Sequence, residues 1–476
     1  MDIRAPLYEK LIQFAKQQHC SFHVPGHKNG RAYEQFGEFP SMLQLDLTEL
    51  PGLDDLHQPE GVIAEAQQLA ASLYRAEETF FLVNGSTVGT IALILTVCNP
   101  GDLILVQRNV HKSVIHGLML AGVQAVFLAP EMDRQSGTAL TVRFETIKQA
   151  AKQYPQARAL FLTNPTYYGV AADLTDIASL LHAHEMLLLV DEAHGAHFGF
   201  HPAWPRSAMQ CGADAAVQST HKMLASMTMS AMLHIQGERI DRRRLRRTLA
   251  MLQSSSPSYV LMASLDLARA RLAAIADYAF DRLLRELAHF RDQLHQTFPQ
   301  GEVRLLDSAQ DPCKLLLRVQ GMSGFALQTQ LMNHRCPVEL ADERQVLLAL
   351  SIETTADDLA QLLRALQAIS LTNRSTTKDS IDGILYIEQS EPILFALNHP
   401  EDCELSDLML EEAVGRCCAE SVTPYPPGIP LVLPGERFTA EHVKLLHRMV
   451  DDGVRVHGLT LRDGIAYVRV RNGGIF

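Results

Sequence analysis

Met186-Leu187-Leu188-Leu189-Val190-Asp191-Glu192-Ala193-His194 runs five apolar residues straight into a carboxylate and, three residues later, a histidine. An apolar run this short, with no polar alternation, predicts a strand buried on both faces. Further short strands are expected at Thr79 to Val83, Leu103 to Val106, Ala125 to Leu128, Ala159 to Thr163 and Ala215 to Gln218. Helical patterns lie among them at Val62 to Tyr74, Gly89 to Val97 and His111 to Ala121. Strands alternating with helices predict an α/β fold, a large mostly parallel sheet with helices on each face. Ligands of such sheets sit at the carboxyl ends of the strands, which is where Asp191 and His194 fall.

The flanking regions differ in pattern. Residues 6–18 read as a helix with Leu7, Leu11, Ile12 and Phe14 apolar, followed to about residue 58 by a stretch punctuated by Gly and Pro. Residues 1–58 are therefore taken as an N-terminal arm that wraps another part of the molecule or a second subunit. Residues 59–298 form the large domain, closing on a long amphipathic helix from Leu261 to Phe298. Val303 to Leu306, Lys314 to Val319 and a helix from Phe325 to His334 suggest a smaller α+β domain over 299–370. The polar stretch 371–379 reads as a linker. Residues 380–476 form a C-terminal domain, with a helix expected at Glu404 to Val414 and a Pro-rich turn at Pro424 to Pro430.

A chain of 476 residues is too long for one core. A net charge of −12 and a pI near 5.9 disfavour nucleic-acid binding. An acidic surface serves solubility as readily as it attracts a cationic small substrate. The eight cysteines show no CxxC pair and no metal-ligand spacing, so no metal site is expected. Reduced thiols in a cytoplasmic protein are the expectation. The N-terminus lacks a signal-peptide pattern. No apolar run reaches membrane-spanning length, since Leu181 to Val190 contains His182, His184 and Glu185.

Four motifs carry chemistry. Asn84-Gly85-Ser86-Thr87 lies between a strand and a helix, where unpaired N–H groups and hydroxyls make a phosphate cradle or simply a good helix cap. His111 follows the next strand and either caps a helix or stacks on an aromatic ligand. Asp191 ends its strand after an apolar run, and a carboxylate there needs a cation, an arginine or a protonated ring. Ser219-Thr220-His221-Lys222 places a lysine ahead of the uncharged run Met223 to Met232. Apolar company disfavours an ammonium and favours a nucleophilic amine. An aspartate, then a lysine roughly thirty residues on, is the layout that holds pyridoxal phosphate: the lysine takes the aldehyde and the aspartate pairs with the ring nitrogen. Thr163-Asn164-Pro165-Thr166-Tyr167-Tyr168-Gly169 would line the same crevice, and Ser254-Ser255-Ser256 would complete the phosphate site, in one reading from a partner subunit.

The chain resembles the bacterial ornithine/lysine/arginine decarboxylases of the aspartate-aminotransferase fold, a fold-type-I pyridoxal-phosphate family, in their shorter form. The resemblance rests on Phe22 to Gly30, Asp46 to Leu50, Gly52 to His57, Asn109-Val110-His111-Lys112-Ser113, Asp191 to His194, Ser219 to Lys222, Ser256-Pro257-Ser258-Tyr259 and Pro424 to Pro430 with Pro434-Gly435-Glu436. It implies that Lys222 forms the Schiff base, Asp191 meets the ring nitrogen and His111 stacks on the ring. Gly85, Ser86, Thr87, Ser219, His221 and Ser255 would meet the phosphate, with His194 beside the ring. Lys222 or His221 would return a proton to Cα. The expected reaction is decarboxylation of a basic L-amino acid, arginine to agmatine ahead of lysine or ornithine, in a homodimer or larger homo-oligomer with shared active sites. Candidates for holding the side-chain cation are Glu436, Asp54 and Asp55. Met223 and Met229 stand where the family has a threonine and a glutamine. Rival readings are an aminotransferase, with Arg318 as carboxylate clamp, and a non-catalytic cofactor-binding protein.

Overall fold

The computed structural model describes residues 2–17, 20–133, 135–306, 309–370, 389–395, 404–425 and 429–472. Its centre is a sheet built from β1 (Glu78–Leu82), β2 (Leu103–Gln107), β3 (Gln124–Leu128), β4 (Ala159–Thr163), β5 (Leu187–Asp191), β6 (Ala215–Gln218) and β7 (Ala231–Ile235). The spatial order is β1-β7-β6-β5-β4-β2-β3, and a short strand, Ile393–Leu394, adds to the outer edge of β3. From β3 to β6 all neighbours are parallel, while β7 is antiparallel to both β6 and β1, so that β7 alone runs against the rest. Parallel strands need crossovers, and helices such as Gly85–Val97 and Lys112–Ala121 supply them on the sheet's faces. Gly89 lets the first of these lie close: a Cβ there would come 2.7 Å from Leu82 and 2.9 Å from Val217.

Strand β7 has no counterpart among the sequence expectations, because the run Met223 to Met232 reads as surroundings of Lys222 rather than as the start of a strand. Its His234 is buried, and both ring nitrogens find partners, Thr79 Oγ1 at 2.8 Å and Gln218 Oε1 at 3.1 Å. A second, antiparallel sheet comprises β8 (Val303–Leu306), β9 (Lys314–Val319), β10 (Leu340–Ala341) and β11 (Val346–Ala349), in the order β10-β11-β9-β8. The helix Tyr259–Thr297 leads to it from the large sheet, and one apolar core runs along that helix from Tyr259 to Leu317.

The N-terminal arm is partly anchored within its own chain. Leu7 and Leu11 are fully buried in that same core, with Leu47, Leu53 and Leu56. Asp266 on the long helix accepts the N–H groups of Leu7 (2.9 Å) and Tyr8 (3.4 Å), which have no intrahelical acceptor at the start of the helix Pro6–Lys16. Between these anchors Phe22, Val24, Phe36 and Phe39 remain exposed.

The helix expected at Glu404 to Val414 is instead a strand, Glu404–Met409, followed by a 3-10 turn, Leu410–Ala413. The strand Ile465–Asn472 pairs with it along its whole length, from Glu404 opposite Asn472 to Met409 opposite Tyr467, so tertiary pairing overrides local preference. The expected linker 371–379 lies outside the described residues, as do residues 426–428 of the Pro-rich turn. Among the described residues, no helix is long and apolar enough to cross a membrane.

Candidate active site

The ends of β2, β4, β5 and β6 open onto one pocket. It is lined by Ser86, Asn109, His111, Thr163, Pro165, Thr166, Tyr167, Asp191, Ala193, His194, Lys222 and Ile429. Ser86, His111, Asp191, His194 and Lys222, expected from the sequence as a constellation, thus share one wall system. Asn109, Tyr167 and Ile429 join them, the last from the C-terminal region.

Lys222 sits in the short helix Thr220–Met223 that follows β6 directly. As a residue it is exposed, because one side faces the open pocket, yet protein atoms crowd its amine. The crowding disfavours the charged form and lowers its pKa, while Asp191 and Glu339 pull it back up. Water on the pocket side softens this downward push. Its Nζ lies 3.1 Å from Nε2 of His194. Met223, next to it, points into the core and is 1% exposed, whereas Met229 is exposed at a positive φ of 82°.

Asp191 is buried at the end of β5, and burial raises its pKa against the pull of Lys222 and the Ala193 N–H, which bonds Oδ1 at 3.1 Å. A carboxylate in this position gains from a cation placed against its other oxygen. His111 both caps the helix Lys112–Ala121 and lines the pocket. Its Nδ1 accepts from Ser113 N at 3.2 Å, leaving Nε2 as the protonated nitrogen. Burial, then Lys222 nearby, push its pKa down to about 4, so the ring is neutral near pH 7.

Ser219 Oγ donates to Ser86 Oγ at 2.8 Å, which joins the β6 end to the helix Gly85–Val97. That helix has no side-chain cap, and Gly85 enters it at a positive φ of 76°. Its first-turn N–H groups therefore stand ready for an anion, with Ser86 and Thr87 beside them. His221 lies next to Lys222, and its Nδ1 bonds the Ser230 carbonyl at 2.9 Å. Ser255 is on an exposed loop and is not among the pocket-lining residues.

The three carboxylates expected to hold the substrate's cation are engaged elsewhere. Glu436 pairs with the buried Arg108 through 2.6 Å and 3.0 Å contacts and accepts the Leu433 N–H at 2.8 Å. Asp54 accepts N–H groups from Asp55, Glu60, Gly61, Ile63 and Ala64, capping the helix Val62–Tyr74. Asp55 bonds the N–H of His57. None of the three lines the pocket. Arg318 bonds the side chain of Gln345 at 2.5 Å.

Two charged residues near the site escaped sequence reasoning. Glu339 accepts from the Tyr167 hydroxyl at 2.5 Å, and its charge reaches Lys222. Lys314, at the start of β9, is buried with its Nζ 3.1 Å from Nδ1 of His194. The signal for Lys314 is a cation opening the apolar run Leu315-Leu316-Leu317, where a surface lysine is out of place.

Comparison with known proteins adds the following. Residues 5–308 match the major domain of the Orn/Lys/Arg decarboxylase family, and residues 396–451 match its C-terminal domain. An uncharacterised protein of Bacillus subtilis is 44% identical over 96% of this chain and 96% of its own length. An arginine decarboxylase of the same organism is 37% identical over 95% of each chain. Among solved structures, lysine decarboxylase A from Pseudomonas aeruginosa superposes with a TM-score of 0.82 over 99% of this chain and 81% of that chain, at 22% identity.

Proposed function

Since the chain belongs to the Orn/Lys/Arg decarboxylase family, we propose that it converts arginine to agmatine and carbon dioxide, with pyridoxal phosphate held at Lys222. The observation that carries this reading is the single pocket in which a crowded lysine amine, a buried carboxylate, a neutral histidine and an uncapped helix N-terminus converge. The donor set suits the cofactor group by group. Buried Asp191 suits a protonated ring nitrogen. The helix end with Ser86, Thr87 and Ser219 suits a phosphate, whereas His221 bonds the Ser230 carbonyl and does not line the pocket. Thr163 Oγ1 and Thr220 Oγ1, both buried with no hydrogen-bond partner among the described residues, have hydrogen bonds to give.

Bound pyridoxal phosphate supplies an aldehyde that takes up amines and a cationic ring that accepts the electrons of the Cα–carboxylate bond. The chain's own groups do the rest. Asp191 keeps the ring nitrogen protonated by offering it a fixed negative charge in a buried place. His111, neutral and lining the pocket, would face the ring without competing for that charge. Lys222 would be the amine that holds the cofactor's aldehyde, and its Nζ would be placed to return a proton to Cα. Apolar Pro165, Ala193 and Ile429 thin the water around the departing carboxylate.

Arginine is preferred over lysine and ornithine because of the identity to the Bacillus arginine decarboxylase. For the guanidinium we assign Glu339 in place of Glu436, Asp54 and Asp55: it stands just outside the pocket lining, but its carboxylate meets the pocket-lining Tyr167 and its charge is felt at Lys222. The exposed Phe22, Val24, Phe36 and Phe39 of the arm support a second copy of the chain covering them, with the loop of Ser255 reaching the partner's phosphate site. Scattered cysteines and the acidic charge fit a cytoplasmic enzyme. The test is a product assay: purified protein with added pyridoxal phosphate receives arginine, lysine and ornithine in turn. Agmatine as the main amine, absent with Lys222→Ala, is the expected result. Cadaverine or putrescine as the main product would move the substrate, and no amine at all would overturn the reading.

A further inference from the structure

His194 lies between two lysines. Its Nε2 is 3.1 Å from Nζ of Lys222, and its Nδ1 is 3.1 Å from Nζ of Lys314. The two amines arrive from different sheets, Lys222 from the end of β6 and Lys314 from the first residue of β9. Lys314 is 3% exposed and does not line the pocket, so it reaches the reacting groups through its contact with His194 and through its charge. Its stem runs beneath Gly169, where a Cβ would come 2.6 Å from Lys314 Cγ. Glycine at a positive φ of 83° clears that path. The Tyr167 ring packs on His194 at 4.5 Å between centroids, which fixes the imidazole in place.

A neutral imidazole offers one N–H and one lone pair. His194 stays neutral, because burial and the adjacent lysines hold its pKa well below the usual value. A chain of three such groups then has two arrangements. In one, the Lys314 ammonium donates to Nδ1, the ring proton sits on Nε2, and Nε2–H donates to the lone pair of an uncharged Lys222 amine. In the other, every donor reverses and Lys222 is the cation. Burial opposes charge on both lysines. Lys314 has the carboxylates of Asp311 and Glu339 for support, with the like charge of Lys222 against it. Its Nζ also lies 5.8 Å from the centroid of the Tyr167 ring, whose face attracts a cation. Lys222 has Asp191 and Glu339, with His111 and His194 beside it, and Asp191 is the group that the proposed function commits to the cofactor's ring. The first arrangement is therefore favoured.

We propose that Lys314 is a positioning residue for the reaction: donating to Nδ1 of His194, it fixes the tautomer whose Nε2–H meets the Lys222 amine and so keeps that amine uncharged and nucleophilic. The proposal rests on Lys222 as the residue that takes the cofactor, but its test requires no turnover. The full-length chain, freed of cofactor and carrying Asp191→Asn so that this carboxylate is withdrawn from Lys222 as the ring would withdraw it, is trace-labelled with acetic anhydride across a range of pH, and acetylation of Lys222 is read by peptide mass spectrometry. Lys314→Met should raise the labelling pKa of Lys222 by about one unit, slowing labelling near neutral pH by about tenfold. Lys314→Arg, which keeps a charged donor, should restore much of the rate. An unchanged Lys222 profile in folded Lys314→Met protein would overturn the proposal. Should that variant not fold, His194→Phe serves in its place: it breaks the bridge while retaining Lys314, and an unchanged profile there overturns the proposal as well. A chain that makes no amine product but shows these shifts would fail the decarboxylase reading alone.

Discussion

Asp191 and Glu192 are adjacent carboxyls with different surroundings. Asp191 faces the pocket, whereas Glu192 turns into the interior, where its oxygens accept from Ala208 N at 2.7 Å and Gln218 Nε2 at 2.8 Å. Burial pushes the Glu192 pKa up to about 8. The folded state thus holds a proton that the unfolded chain releases near pH 4.5. The associated stabilisation is complete below that pH and is lost as pH rises through about 8. Denaturant unfolding followed from pH 5 to 8 should show a falling contribution to stability that Glu192→Gln flattens; equal slopes in both proteins would contradict the assignment. The residue-level signal in the sequence was clear where a polar group ends an apolar run, as at Asp191, and where histidine and lysine cluster, as at Ser219 to Lys222. It was poor for Glu339 and Lys314, which come from the second sheet and meet Lys222 only through the packing of β9 beside His194.

At the scale of elements, helix termini explain why several expected site residues have other work. Asp54 takes five backbone N–H groups around the start of the helix Val62–Tyr74. Burial alone would raise its pKa, but the hydrogen bonds from the Glu60, Asp55, Gly61 and Ala64 N–H groups outweigh it and the net shift is downward. Its stabilisation is therefore present above the ordinary carboxyl range and lost as pH falls through the depressed value. Asp54→Ala should cost about 1–2 kcal/mol near neutral pH. Asp54→Asn should cost less, since Asn retains an acceptor and tolerates the positive φ of 72° at this position. Equal losses in thermal unfolding for the two variants would contradict the capping role. Sequence spacing located most elements because buried parallel strands have a distinctive unbroken apolar pattern. It missed β7, whose His234 breaks the pattern, and it misread Glu404–Met409, whose identity depends on a partner strand near the end of the chain.

For the whole molecule, the arm is the telling feature. Its two ends are tied into the core of its own chain by Leu7, Leu11, Leu53 and Leu56, while Phe22 stands 96% exposed between them. Apolar surface of that kind marks an interaction site. Sedimentation at micromolar concentration should show a dimer or larger assembly, and Phe22→Asp combined with Phe36→Asp should weaken it and lower activity together. A wild-type monomer with full activity would contradict shared active sites. The C-terminal region also bears on the pocket, since Ile429 lines it and the Arg108–Glu436 pair ties that region to the large sheet beside His111.

Which lysine takes the cofactor is the central question, because a pocket-facing amine and a buried one flank the same imidazole. Full-length protein loaded with pyridoxal phosphate and reduced with borohydride makes the link between aldehyde and amine permanent, and peptide mass spectrometry locates it. The pyridoxyl group should be found on Lys222. A label on Lys314 or on another lysine, or no label on the loaded protein, would contradict the account.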